Sequence, residues 1–88
     1  MTPREVLLAA ADYLEANGWT AWEPGAVIEG CKCVHCAMRE ATSGNHVSAR
    51  MDALELFCER FGKKLRLWEA APGRTRDEVV RALREAAR

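Results

Sequence analysis

Eighty-eight residues, 49% hydrophobic and 30% charged, describe one small globular domain and exclude a disordered chain. Thirteen basic residues balance thirteen acidic ones, so no net field draws the chain onto nucleic acid or an anionic membrane. No apolar run approaches the ~20 residues that a membrane crossing requires.

The charges are unevenly placed. Residues 1–45 carry three basic and six acidic side chains, and residues 46–88 carry ten and seven. Opposite halves suit head-to-tail self-association or a basic patch around Lys63, Lys64 and Arg66. Neutralisation between packed helices is the simpler expectation. A domain of this size buries only about 60–65% of its unfolded surface, so a metal, a dimer partner or very regular helices would help it.

In chain order, Thr2 and Glu5 spell a capping box with Pro3 at the first helical position. Val6, Leu7, Ala10, Tyr13 and Leu14 recur at helical spacing, and Asn17-Gly18 supplies a stop. A helix is expected over 3–17. These first residues enter an amphipathic pattern directly and show no signal peptide, which points to the cytoplasm. Residues 18–30, "GWTAWEPGAVIEG", read as an ordered loop pinned by Trp19 or Trp22 folding back on the core. A short helix over 33–42 places Val34, Ala37, Met38 and Ala41 on one side, and "TSGN" breaks it, with Ser43 or Asn45 available to cap the next. Val47, Met51, Leu54, Phe57, Cys58 and Phe61 mark an apolar stripe for a central core helix over 46–61, ended by Gly62. "KKLRLW" at 63–68 alternates basic and apolar residues and is expected to be an extended connector. After the "AAPGR" turn, Thr75 and Glu78 form a second capping box for a helix over 76–87. The fold class is all-α: a compact four-helix domain spanning 1–88.

Three stretches, "LLAAADYLEANGW" at 7–19, "CVHCAMREA" at 33–41 and "LWEAAPGRTRDEVVRALREA" at 67–86, together resemble a family of small helical proteins of unknown activity from actinobacteria and their phages. The shared marks are Gly-Trp after the first helix, a Cys-x-x-small-Ala opening to the second, and a closing Thr-x-x-Glu-Val helix. The resemblance implies a small helical domain in an actinobacterial or phage setting and transfers no catalytic residue. Cys36 stands where that family tends to have glycine, Cys31 is not one of its features, and Trp68-Glu69-Ala70 replaces a Trp-Asn-Asp-like turn. The departure leaves the role of residue 69 open.

The cysteine cluster "GCKCVHC" is the strongest chemical signal. Zinc requires four ligands, commonly thiolates and imidazoles. Cys31, Cys33 and Cys36 supply three, and His46 is the fourth if helices two and three pack as a hairpin. Cys58 lies about 18 Å further along helix three at 1.5 Å per residue, so it cannot share that ion with His46. It reads instead as a buried core thiol. His35 points away from the face carrying Cys33 and Cys36 and is a poor ligand. The competing readings are a thiol-regulated Cys-x-x-Cys and, preferred over both, small side chains that allow close helix packing.

Glu55, Glu59, Asp77 and Glu78 fall on exposed helical positions, and no phosphate loop, nucleophile elbow or zinc-protease motif is present, so an enzyme is not expected. Arg81, Arg84 and Arg88 share a face of the last helix, yet that helix lacks base-reading Asn or Gln, which argues against nucleic acid. The sequence is best read as a small non-catalytic interaction or regulatory module that binds a protein partner or itself. A zinc-stabilised or thiol-regulated module is the alternative, followed by a nucleic-acid-binding domain.

Overall fold

The computed structural model describes residues 1–21 and 32–88. Trp22, Cys31 and the rest of the expected loop between them lie outside the described residues. Five helices follow in order: α1 (Pro3–Asn17), α2 (Val34–Ala41), α3 (Val47–Phe61), α4 (Leu65–Glu69) and α5 (Arg76–Ala86). The all-α class holds, and no described helix is long and apolar enough to cross a membrane.

Both capping boxes form. The Thr2 hydroxyl accepts from Glu5 N, and the Glu5 carboxylate accepts from Thr2 N at 2.9 Å. Thr75 and Glu78 repeat the exchange at the start of α5. In each box the bonds from the threonine, backbone first, hold the glutamate below the usual carboxylate range. Gly18 ends α1 with φ 91° and ψ 167°, a region essentially reserved for glycine, and its N–H donates to Leu14 O at 2.8 Å.

The structure corrects three expectations. First, residues 65–69 form a helix and not an extended connector. In an extended segment Leu65 and Leu67 would share a face. The helix instead turns Leu65, Trp68 and Glu69 inward at i, i+3, i+4 and leaves Leu67 67% exposed. Second, neither Ser43 nor Asn45 caps α3: His46 holds the N-cap position in a left-handed conformation, without a side-chain cap bond. Third, the stripe expected along α3 is not one buried face. Ala53 and Phe57 enter the core, whereas Val47 and Met51 are 60% and 59% exposed.

The core gathers around α1, which packs against α2, α3 and α5. Val6, Leu7, Ala10, Ala11 and Leu14 are fully buried there, opposite Phe57, Val79 and Leu83. Fully buried alanines (Ala10, Ala11, Ala37 and Ala53) let the helices approach closely. At one end, Phe57 stacks on Phe61 at 4.6 Å and meets the edge of Trp68 at 5.2 Å. The Arg74 guanidinium covers the Trp68 ring at 3.8 Å, donates to Trp68 O and pairs with Glu78, so one arginine joins α4 to the start of α5.

Two donors from distant parts of the chain meet on one buried carboxyl. Glu69 is 1% exposed, and its Oε2 accepts from Val34 N at 2.7 Å and from Trp19 Nε1 at 2.9 Å. Replacing it by alanine orphans both donors at about 1–3 kcal/mol each. Chemical denaturation of Glu69→Ala is expected to show a loss of several kcal/mol. Phe57→Ala, which empties the aromatic end of the core, is expected to lose about 3–5 kcal/mol in the same measurement.

Candidate interaction groove

Among the residues expected to carry chemistry, Cys33 occupies the N-cap position of α2 and is 1% exposed, packed with the core. Its side chain makes no cap bond. The first N–H of the helix is taken by Glu69, on α4. Cys36 lies one turn on and is half-buried, while His46 is exposed at the start of α3. Cys31 lies outside the described residues. Among the described residues, no three His, Cys, Asp or Glu side chains gather as a metal-binding group. No disulfide joins Cys33, Cys36 and Cys58 to one another.

On the arginine face of α5, Arg84 is engaged with acids. Arg84 reaches α1, donating to Asp12 at 3.0 Å and to both oxygens of Glu15 at 3.1 Å. These bonds hold Glu15 below the usual carboxylate range and raise Arg84. Arg60 pairs with Glu85 between α3 and α5. The Arg84 pairing thus neutralises charge between the two halves of the chain.

The feature that sequence reading missed lies on the other side of α3. A groove of about 530 Å³ opens between α3 and α4, floored by Met51, Leu54, Cys58 and Leu65. Cys58, expected in the core, is half-buried on this floor. Lys64 and Arg66 line the groove from the α4 side, Glu55 from α3 and His35 from α2. The signal was present in the spacing. Val47, Met51, Leu54 and Cys58 advance by four, three and four residues, the step of a helix–helix seam. Ala53 and Phe57 follow a separate row one strip around the helix.

His35 is the polar group of most consequence here. Its Nδ1 is buried without a hydrogen-bond partner among the described residues. Burial lowers its pKa below the ordinary imidazole value, and the nearby charges of Arg66 and Arg39 push the same way. A neutral imidazole in a mainly apolar groove is compatible with apolar contact, whereas a protonated one would carry a desolvation penalty.

Residues 1–88, the span from the Thr2 cap to the end of α5, match the model of one protein family. The chain belongs to the family of unknown function DUF6197. Comparison with curated proteins and with solved structures gives no match. Membership agrees with the expectation of a family of unknown activity, and in this DUF6197 chain the residue at the Trp68-Glu69-Ala70 turn now has a stated part: Glu69 caps α2 and holds Trp19.

The lowered His35 value sets a pH dependence. The unfolded chain takes up the proton near pH 6.5, before the folded chain does. Folding stability is therefore full above that value and falls as the pH drops from it toward the folded pKa. Denaturation of the wild type and of His35→Gln across this window is expected to show a smaller acid-side loss in the variant, and NMR titration should place the His35 midpoint below that of a free imidazole.

Proposed function

We propose that this DUF6197 chain is a small non-catalytic interaction module that meets a protein partner, or another copy of itself, through the groove between α3 and α4. The observation that carries the reading is the apolar row along α3. Val47 and Met51 stand about 60% exposed on a helix whose core face is already filled by Ala53 and Phe57. Exposed apolar residues scattered singly need no explanation, but a row at seam spacing that runs into a concave, mainly apolar floor is the kind of patch interfaces use.

A peptide-scale occupant fits better than a small metabolite. The row runs about 16 Å from Val47 to Cys58, at 1.5 Å per residue, and so continues beyond the groove floor. The basic and acidic side chains sit at the margins and the apolar ones on the floor, the core-and-rim arrangement of a protein interface.

A displayed library of amphipathic helical peptides, panned against the highly diluted chain, is expected to enrich binders that fail to bind Met51→Glu. Binders indifferent to that substitution, or none at all together with no self-association sensitive to it, would remove the groove reading.

A further inference from the structure

We propose that the occupant of the groove is a second copy of this chain, related by a two-fold axis parallel to α3, so that the two α3 seams meet in register. The proposal rests on the interaction reading above and gives it one partner and one geometry.

Three rows run along α3. Ala53 and Phe57 face the core. Val47, Met51, Leu54 and Cys58 form the seam beside them. Asp52, Glu55 and Glu59, all exposed, form an acidic row on the far side of the seam from the core. On the opposite margin of the groove, α4 presents Lys64 and Arg66. The seam thus has an acidic margin and a basic margin, and the order of the two decides which symmetry is allowed.

An axis perpendicular to α3 would make the helices antiparallel and set each acidic row against the partner's acidic row. An axis parallel to α3 carries each acidic row across to the partner's basic margin, so Glu55 faces the partner's Lys64 twice in one dimer. Like charges brought together across an interface are strongly unfavourable, and complementary ones fix register and orientation. The seam spacing also permits this arrangement. Met51 and Cys58 fall on one position of the heptad and Val47 and Leu54 on the other, so identical residues meet across a parallel pair. The interface is isologous, and its closed symmetry stops assembly at two copies.

The geometry has a chemical signature. In a parallel dimer the two Cys58 thiols approach each other across the axis, whereas in an antiparallel one that overlaps the whole seam Cys58 would lie against the partner's Val47.

Sedimentation equilibrium of the full chain is expected to show a dimer. Met51→Glu, which puts an unpaired carboxylate in the seam, is expected to weaken it by at least about tenfold. Met51 is exposed in the single chain, so far-ultraviolet circular dichroism should show the variant still folded. Glu55→Lys and Lys64→Glu should each weaken the dimer, and the double exchange should restore it, because the cycle isolates the pair across the interface. Mild oxidation with copper–phenanthroline should give a covalent dimer whose cross-linked peptide maps to Cys58–Cys58, and Cys58→Ser should abolish it. A chain that stays monomeric while peptide binding still depends on Met51 would overturn the second-copy proposal and leave the groove reading standing. A dimer indifferent to Met51→Glu, or one whose charge exchange fails to restore association, would overturn the proposal itself.

Discussion

The fold depends on one carboxyl group. The N-cap of α2 is Cys33, a residue that makes no side-chain cap bond, so the helix would start with its first N–H groups unsatisfied. Glu69 supplies an acceptor from across the molecule, and the same oxygen receives the indole N–H of Trp19. A helix start, the segment after α1 and the end of α4 are thereby fixed on one atom. The arrangement suits a short helix. Eight residues are too few for α2 to be stable from propensity alone, and it holds because tertiary contacts hold both its apolar face and its first turn.

Local rules made much of this legible from residue types. Thr-x-x-Glu at 2–5 and at 75–78 gave two helix starts, since each cap is satisfied within four residues of chain. Gly18 and Gly62 gave two ends, each with a positive φ and an N–H returning to the last turn. Glu69 as the cap of α2 was not legible, because its partners lie 35 and 50 residues away and nothing in "LWEA" states which distant donors need it. The five-residue α4 escaped for a related reason. Alternation in "KKLRLW" is the signature of an extended segment, and only the need to turn Leu65, Trp68 and Glu69 to one side selects the helix.

The groove was half legible. Apolar positions on α3 were recognised one by one, but a helix has room for more than one apolar row, and the sequence read them as a single stripe. What separates the rows is what else packs against α3. α1, α5 and Trp68 of α4 cover the Ala53–Phe57 side, and the rest of the short α4 borders the other. α3 therefore serves two environments with one amphipathic pattern, and its acidic row marks the outer limit of the second. The cysteines divide in the same way: Cys33 belongs to the core at the start of α2, and Cys58 to the open seam.

The segment between α1 and α2 has both ends anchored. Thr20 N donates to Lys32 O at 3.2 Å, while just outside that bond Trp19 and Val34 share the Glu69 oxygen. A chain closed between fixed ends loses entropy only with the logarithm of its length, about 0.6 kcal/mol for each doubling. The clasp formed by these bonds holds the start of α2 beside the end of α1. α1 and α2 are in this way tied at their adjoining ends as well as along their packed faces.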